Sequence, residues 1–400
     1  MSFVADRLGR IIASPTLAIT KLSFELKAQG RSIITLSQGE PDFHTEAHVS
    51  EAGIRAIQEN RTKYTAVDGM PELKDAIARK FRRDNGLEFA RDQIIVSSAS
   101  KTILFNAALA VVNPGDEVII PAPYWVSYPD IARVADGVPV YVECHQADGV
   151  RMRPEALEAA ITPCTRMLIL CSPCNPTGAV YSAAQLADLG AVLQRHPQVF
   201  VMVDEIYEHL VYDGIKSPSL AACVPVLGER ILTINGMSKG YAMTGWRVGF
   251  AGGPGDVVDA IATMQSQNTS SPNEISQLAA IAALDGPQDS IERNKATFQQ
   301  RRDLAVAMLN DIPGLRCRKP DGAFYIFCSC AGVIGKRTVS GRTIATDSDF
   351  VHALLEQEGV AVVMGDAFGM SPFFRMSYAL SIDTMRDALQ RIERFCRSLS

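Results

Sequence analysis

The chain lacks the features that mark nucleic-acid-binding, membrane and secreted proteins. It contains no long run of lysine and arginine, and its formal net charge is -5, so a basic surface for nucleic acid or anionic lipid is not expected. No stretch approaches the roughly 20 consecutive apolar residues that span a bilayer. The N-terminus also lacks a basic segment followed by an apolar one. These absences predict a cytoplasmic protein that binds small molecules and has neither a nucleic-acid nor a membrane partner.

Metal and disulfide chemistry have little support in the sequence. The nine cysteines are odd in number and scattered, which favours reduced thiols in the core of a large protein over a disulfide framework. Cys171-Ser-Pro-Cys174 and Cys328-Ser-Cys330 have the spacing of metal or redox motifs, but neither has a second pair or a histidine at ligand spacing. The six histidines show no His-Glu-x-x-His pattern and flank no plausible nucleophile. No metal site is predicted.

Length and pattern predict two domains of different class. The 400 residues exceed the size at which a single core stops growing, and 47% hydrophobic residues suit a globular protein. From about 100 to 290, helix-like segments alternate with short β-branched runs, which indicates an α/β domain with a mostly parallel sheet covered by helices. Strands are predicted at 118–120, 139–143, 167–171, 200–204, 231–234 and 247–251, and helices at 102–112, 154–161 and 183–195.

After about residue 290 the pattern changes. A long charged helix at 290–309 precedes a strand-like run at 322–327, a helix at 349–358, a second run at 373–378 and a terminal helix from 382. This order indicates a smaller α+β domain. In the larger domain, Asn175, Asp204 and Lys239 each follow or end a predicted strand, where parallel sheets bind their ligands.

The segment from residue 235 to residue 250 carries the strongest chemical signal. It reads Asn-Gly-Met-Ser-Lys-Gly-Tyr-Ala-Met-Thr-Gly-Trp-Arg-Val-Gly-Phe and places Lys239 in a tight polar turn between two apolar, strand-like runs. A lysine held in such a turn can react with an aldehyde, while Arg247 holds a phosphate. Pyridoxal phosphate carries both groups. Taken alone, the segment also fits a hairpin with an exposed lysine.

The sequence resembles the fold-type I pyridoxal-phosphate aminotransferases of class I/II, in the aspartate aminotransferase-like branch. All sixteen positions of the segment match the family's signature, Asn-Gly-x-[Ser/Ala]-Lys-x-[Tyr/Phe]-x-Met-x-Gly-Trp-Arg-x-Gly-[Phe/Tyr]. The resemblance implies that Lys239 binds the cofactor covalently and moves the substrate's proton. It also implies a large cofactor-binding domain at 45–290 and a small domain built from 1–44 and 291–400, because the family's N-terminal arm packs there.

Four further residues match family positions around the cofactor ring. Asp204 matches the carboxylate that keeps the pyridine nitrogen protonated, although an aspartate at a strand end is often only a helix cap. Tyr207 and Asn175 match the two donors to the phenolic oxygen, and Asn175 could otherwise only shape a turn. Trp125 matches the aromatic residue that stacks on the ring, with core packing as its alternative.

The phosphate of the cofactor also has matching residues. The segment Ser-Ser-Ala-Ser-Lys-Thr opens a helix whose free amides and dipole favour an anion. Tyr64 matches a tyrosine that reaches the phosphate of the neighbouring subunit, which implies a homodimer with shared active sites. Gly236 stands where some relatives place a phosphate-binding serine. The remaining matches to phosphate contacts are Ala99, Ser100, Lys101, Ser238 and Arg247.

The substrate's α-carboxylate has matching residues as well. Arg375 matches the arginine that binds this group bidentately, with a surface ion pair as its alternative. Gly39 would contribute through its backbone, and Trp125 and Asn175 would also touch the substrate.

A cation for a distal carboxylate is missing from the sequence. Family positions for such a cation fall near Ser266 and near Leu109 and its apolar neighbours, which leaves Ser14 and Thr16 as possible polar contacts. Glu274 would disfavour aspartate if it faced the pocket, but it could equally cap a helix.

Together these matches imply an aminotransferase that passes the amino group of an L-amino acid, with aspartate favoured, to a 2-oxo acid such as 2-oxoglutarate by a ping-pong mechanism. An enzyme for aromatic, prephenate-type or other non-dicarboxylic substrates stays open because the distal cation is missing. A lyase or decarboxylase on the same scaffold is a further alternative, since a fold alone does not fix the reaction.

Overall fold

The computed structural model describes residues 3–11 and 15–400, with the side chains of residues 15–17 excepted. Ser14 and the side chain of Thr16, considered above as polar contacts, lie outside this description. The strands are β1 Ile34–Thr35, β2 Ile94–Ser97, β3 Glu117–Ala122, β4 Val138–Glu143, β5 Thr165–Cys171, β6 Phe200–Asp204, β7 Ile231–Gly236, β8 Gly249–Gly252, β9 Arg316–Cys317, β10 Tyr325–Ser329, β11 Val360–Ala361, β12 Val363–Met364 and β13 Phe373–Ser377.

Helices separate most of these strands along the described chain. They are α1 Pro15–Ala28, α2 Ala47–Gln58, α3 Pro71–Lys80, α4 Ser100–Val111, α5 Ser127–Val134, α6 Pro154–Ala160, α7 Ala183–Arg195, α8 Leu220–Cys223, α9 Gly255–Ser266, α10 Glu274–Asp285, α11 Asp289–Asp311, α12 Asp347–Glu358 and α13 Ile382–Ser398. No helix among the described residues is long and apolar enough to cross a membrane.

Seven strands form the larger sheet, in the order β2-β8-β7-β6-β5-β3-β4. All neighbours are parallel except those of β8, which runs antiparallel to both β2 and β7. The central strand β6 is buried throughout, because its two faces pack against two helical layers. Val201 and Val203 join the core under α3, α7 and α10, whereas Phe200 and Met202 join the core under α4, α5 and α9. The predicted parallel α/β sheet is therefore confirmed.

The strand predicted at 247–251 begins too early. Arg247 has φ 56° and ψ 55°, in the left-handed region, and β8 starts only at Gly249. Gly249 is needed at this place because a Cβ there would lie 2.0 Å from the backbone nitrogen of Ser100, at the start of α4. The chain thus turns at Arg247 before it can pair with its neighbours, which is why apolar content alone misplaced the boundary.

A four-stranded antiparallel sheet, in the order β12-β13-β10-β9, organises the C-terminal part. The run predicted at 322–327 becomes β10 only from Tyr325, and the predicted helix at 349–358 begins earlier, at Asp347, because Thr346 caps it. The strand β1 pairs in parallel with β11, so the N-terminal segment packs on this part of the chain. The division into domains at 44/45 and 290/291 stays a prediction.

Candidate active site

A cavity of about 390 Å³ opens where the carboxyl ends of β5 and β6 meet the start of α4 and the turn between β7 and β8. Arg375 from β13 and Tyr325 from β10 close it on the other side. This is the edge at which parallel sheets bind ligands. The predicted residues that line it are Gly39, Ala99, Ser100, Lys101, Trp125, Asn175, Asp204, Tyr207, Ser238, Lys239, Arg247 and Arg375.

Lys239 is held over this cavity as a poorly solvated amine. Its Nζ donates a hydrogen bond to the carbonyl oxygen of Gly39 at 2.5 Å. Burial lowers the pKa of Lys239 to about 8, with the nearby charge of Glu40 acting in the opposite direction. A lysine with such a pKa has a much larger neutral, nucleophilic fraction near pH 8 than an exposed lysine.

Asp204 ends β6 as a carboxylate buried at the back of the cavity. The hydroxyl of Tyr128 donates to its Oδ2 at 2.7 Å, and the amide of Ile206 donates to its Oδ1 at 3.3 Å. Burial raises the pKa of Asp204, whereas both hydrogen bonds and the charge of Lys239 lower it. A buried carboxylate of this kind is stabilised by a cation beside it, and a protonated ring nitrogen would supply one.

Arg375 is almost fully buried and only partly hydrogen-bonded. One terminal nitrogen donates to Asn175 Oδ1 at 3.0 Å, and the other donates to the carbonyl oxygen of Ser37 at 2.6 Å. Its Nε has no partner among the described residues. The guanidinium carbon also lies 4.5 Å from the ring centre of Tyr325. An unpaired buried donor is costly, so this guanidinium is prepared for an anionic ligand that enters the cavity.

The start of α4 has the features of an anion-binding site within the same cavity. The first amides of a helix have no intrahelical acceptor, and the hydroxyl of Ser100 is fixed by a 2.7 Å hydrogen bond to the carbonyl of Asn235. Burial and the positive charge of Arg247 both lower the pKa of Lys101. Two cations and a helix N-terminus therefore face one space, which fits a phosphate.

Close backbone packing shapes this anion site. A Cβ at Gly236 would lie 2.5 Å from Ser100 Oγ. A serine at this position would require the Ser100 side chain to move. The start of α4, Ser238 and Arg247 line this part of the cavity.

Two tyrosines of the site were not predicted from the sequence. Besides Tyr128, Tyr325 lines the cavity, and its hydroxyl lies 2.9 Å from the hydroxyl of Tyr207. Tyr128 stands three residues after Trp125, in the same aromatic run, but nothing in the spacing indicates that its hydroxyl reaches Asp204. Tyr325 lies within a strand, where an aromatic residue usually signals only core packing.

Tyr64 does not line the cavity of its own chain and is 92% exposed. The loop that carries it is held by Glu274, which accepts from Arg61 Nε at 2.7 Å and from the backbone amide of Lys63 at 2.9 Å. Glu274 is therefore not among the described residues that line the pocket. Asn273 caps the helix in its place.

The positions considered for a distal cation also fall away from the cavity. Ser266 is exposed at the end of α9, and the apolar residue of α4 that lines the cavity is Leu104, not Leu109. The described residues of this chain thus offer no cation at the two positions that the sequence singled out.

The family of the chain follows from comparison with known proteins. A family model described as aminotransferase class I and II matches residues 31–392. The chain belongs to the class I and II aminotransferases. An aspartate/prephenate aminotransferase of Cereibacter sphaeroides is 52% identical to this aminotransferase over 400 residues, with 100% of both chains covered.

Two solved aminotransferases have the same architecture. The crystal structure of the aspartate aminotransferase from Rhizobium meliloti is 52% identical, has a TM-score of 0.97 and covers 100% of both chains. The Thermus thermophilus aspartate aminotransferase with maleate is 40% identical, with a TM-score of 0.92 and coverage of 99% of this chain and 100% of that chain. The chain is thus a pyridoxal-phosphate-dependent aminotransferase of fold type I. The anion site, the buried carboxylate and the lysine described above fit that cofactor.

Proposed function

We propose that this aminotransferase takes the amino group of L-aspartate and passes it to a 2-oxo acid such as 2-oxoglutarate by a ping-pong mechanism. The observation that carries the proposal is the buried guanidinium of Arg375, whose Nε is unpaired among the described residues. A substrate carboxylate suits it, because a planar guanidinium binds carboxylates through two parallel hydrogen bonds. The relatives named above are all called aspartate or aspartate/prephenate aminotransferases, which favours aspartate as the donor.

The residues that line the cavity would have different roles in the reaction. Bound pyridoxal phosphate supplies a ring that withdraws electrons from the substrate's α-carbon. Asp204 would hold the ring nitrogen in its protonated form. Lys239 Nζ would take the proton from the α-carbon, and its pKa of about 8 suits a base that works near neutral pH. Tyr207 and Asn175 would face the phenolic oxygen of the ring.

Other residues would position the cofactor and substrate without moving protons. Trp125, half-buried at the cavity wall, would stack on the ring, and the carbonyl of Gly39 would be released when Lys239 engages the cofactor. The groups that would hold the phosphate are Ala99, Ser100, Lys101, Ser238 and Arg247.

A second candidate function follows from the charges at the cavity. The cations that line it in the described chain are Lys101, Lys239, Arg247 and Arg375, and the proposal already gives each a role. None is left for the side-chain carboxylate of aspartate. A prephenate-type substrate therefore stays a candidate, and the name of the Cereibacter sphaeroides relative supports it.

An absorbance titration of the holoenzyme with single amino acids tests these proposals. We expect aspartate to shift the cofactor band and 2-oxoglutarate to restore it, with no band of cofactor covalently bound to the enzyme in Lys239→Ala. We expect Arg375→Lys to raise KM for aspartate by roughly tenfold or more, because lysine cannot form two parallel hydrogen bonds. Conversion only by aromatic amino acids, or restoration only by prephenate, would favour the second candidate. Ammonia released without an oxo acid would favour a lyase.

We further propose that two copies form a homodimer with shared active sites. Tyr64 matches a phosphate-binding position of the family, yet it is exposed and lies outside the cavity of its own chain. Its loop is held by Glu274 through Arg61, so the tyrosine projects from a fixed base. In the proposed dimer Tyr64 binds the phosphate in the partner's site.

We also propose that the enzyme acts in the cytoplasm, in amino-acid biosynthesis. All nine cysteines are free thiols, as is usual for proteins of a reducing compartment. Transfer of amino groups to 2-oxo acids is the reaction by which such a compartment makes amino acids from carbon skeletons.

A further inference from the structure

Two cysteines, three residues apart in the sequence, lie at the catalytic cavity. Cys171 ends β5, lines the cavity and pairs in register with Asp204 on β6. Cys174 follows three residues later and is half-buried. Its thiol donates to the carbonyl oxygen of Pro123 at 3.8 Å, the thiol of Cys171 donates to that of Pro173 at 3.3 Å, and each thiol lies near enough to shift the pKa of the other. We propose that Cys171 and Cys174 are a dithiol site that hydrogen peroxide converts to a disulfide, and that the disulfide inactivates the aminotransferase. The position of the thiols carries this inference, and only its effect on activity rests on the proposed function.

The surroundings of the two sulfurs distinguish their roles. The neighbouring thiol of Cys171 and hydrogen bonds with Thr177 lower the pKa of Cys174 against the effect of burial. The contact with Cys174, together with burial, raises the pKa of Cys171. Cys174 is also the more exposed of the two, so it is the thiolate that meets peroxide first. Cys171 is then the resolving thiol.

The reaction balances with one peroxide per pair. The thiolate of Cys174 attacks one peroxide oxygen, the O–O bond breaks, and hydroxide leaves a sulfenic acid on Cys174. The thiol of Cys171 then attacks that sulfur, and the S–S bond forms while the S–O bond breaks and water leaves. The two thiols lose two electrons and two protons, and the peroxide becomes two water molecules.

A disulfide here would disturb the substrate-binding side of the cavity. Asn175, which directly follows Cys174, accepts a hydrogen bond from Arg375 at 3.0 Å. The backbone of Cys174 is itself fixed, because its amide donates to Ala179 at 2.9 Å and its carbonyl accepts from Gly178 at 2.8 Å. An S–S bond of about 2.05 Å requires both sulfurs to leave the carbonyl oxygens of Pro173 and Pro123, so its formation must shift this segment. Since a misplacement of about 1 Å can cost on the order of 10²-fold in rate, we expect kcat/KM to fall by roughly tenfold or more.

Peptide mass spectrometry of the holoenzyme tests the site directly. Reduced enzyme is exposed to hydrogen peroxide, denatured with a maleimide that blocks the remaining thiols, and digested with trypsin. Residues 167–195 form one tryptic peptide that contains Cys171 and Cys174 and no other cysteine, and residues 152–166 form another that contains only the exposed Cys164. We expect peptide 167–195 to lose the mass of two hydrogen atoms and both maleimides at peroxide doses that leave Cys164 blocked. Dithiothreitol should restore both thiols and the activity.

Matched serine variants connect the disulfide to the activity. Cys174→Ser should keep the activity of the reduced enzyme and lose its sensitivity to peroxide, whereas Cys164→Ser should stay as sensitive as the parent. If peroxide oxidised Cys164 while both thiols of peptide 167–195 stayed reduced and were blocked by maleimide, the proposed dithiol site would be wrong. Equal inactivation of Cys174→Ser and the parent, or a disulfide with full activity, would overturn the proposed effect. Absence of transamination in the reduced parent would instead contradict the proposed function, and the mass readout would still stand.

Discussion

At the scale of single residues, Tyr128 is the side chain that most lowers the pKa of Asp204, against the larger effect of burial. Its hydroxyl donates to Asp204 Oδ2 at 2.7 Å and opposes the rise in pKa that burial causes. We expect Tyr128→Phe to raise the pKa of Asp204 further and to lower kcat/KM about tenfold, since a hydrogen bond to a charged group contributes about 1.5–3 kcal/mol. The loss should be greatest at low pH, where the carboxylate protonates first. Kinetics with the preferred donor across a pH series would measure it.

A neighbouring tyrosine provides the control for this variant. Tyr124 lies four residues before Tyr128, just ahead of α5; it does not line the cavity, and it stacks on Tyr141 with ring centres 5.2 Å apart. Tyr124→Phe removes the same hydroxyl without touching Asp204, so its pH profile should match that of the wild type. Identical profiles for Tyr128→Phe and Tyr124→Phe would show that the hydrogen bond does not tune the carboxylate.

Residue types that carry charge were easier to predict than those that act through contact. Lys239, Asp204 and Arg375 stand in distinctive sequence segments, and the structure brings all three to one cavity. Tyr128 and Tyr325 were missed because a tyrosine in an apolar segment usually packs in a core, and only the folded chain shows which hydroxyl reaches a functional group. The roles assigned to the site residues stay predictions that the variants above test.

At the scale of elements, a buried ion cluster supports the turn that follows β6. Lys80, at the end of α3, is fully buried, contacts Glu208 and donates to Asn85 Oδ1 at 2.7 Å. Asp204 at the end of β6 and Tyr207 in this turn line the cavity, so the contact of Lys80 with Glu208 fixes a turn that belongs to the site. We expect Lys80→Met to destabilise the protein by about 3–5 kcal/mol, because it leaves a buried carboxylate without its cation. A lower urea midpoint by circular dichroism would report this loss.

An exposed lysine gives the matched comparison. Lys21 lies 3.9 Å from Glu25, with side chains 80% and 54% exposed. Lys21→Met should change stability by less than about 1 kcal/mol, as is usual for surface pairs.

The pH dependence of stability gives a second check of the Lys80–Glu208 pair. Lys80 lowers the pKa of Glu208 against the effect of burial, so this pair stabilises the wild type above the ordinary pKa of a glutamate and loses that effect as pH falls. The urea midpoints of the wild type and of Lys80→Met should therefore converge in acid. An equally large difference between them at low pH would contradict this role of Lys80.

Prediction of the elements succeeded where a run of apolar residues had a single explanation. The strand predicted at 200–204 agrees with β6, and the helix predicted at 183–195 agrees with α7, because each is bounded by clear polar or turn residues. The two-residue strands β1, β9, β11 and β12 were not predicted, since two residues show no periodicity. The error at 247–251 has a different cause. The boundary depends on contact between Gly249 and α4, which lies far away in the sequence.

At the scale of the whole molecule, the proposed homodimer has active sites to which both subunits contribute residues. Lys239 and Arg375 line the same cavity of one chain, whereas Tyr64 is exposed and does not line it. In the proposed homodimer, a complete site therefore contains Lys239 from one subunit and Tyr64 from the other. The symmetry of a two-fold dimer makes this arrangement reciprocal, so two damaged chains can together contain one undamaged site.

Mixing experiments with two variants decide whether Tyr64 acts in the partner's site. Tyr64→Ala and Lys239→Ala should each be impaired alone. After unfolding and refolding together at equal concentrations, half of the dimers are mixed and each has one intact site, so we expect activity of about one quarter of the wild type. The control is a mixture of Lys239→Ala with Arg375→Ala, whose residues line one cavity of the same chain and which should regain nothing. If the first mixture also regained nothing, Tyr64 would act in its own chain or not at all.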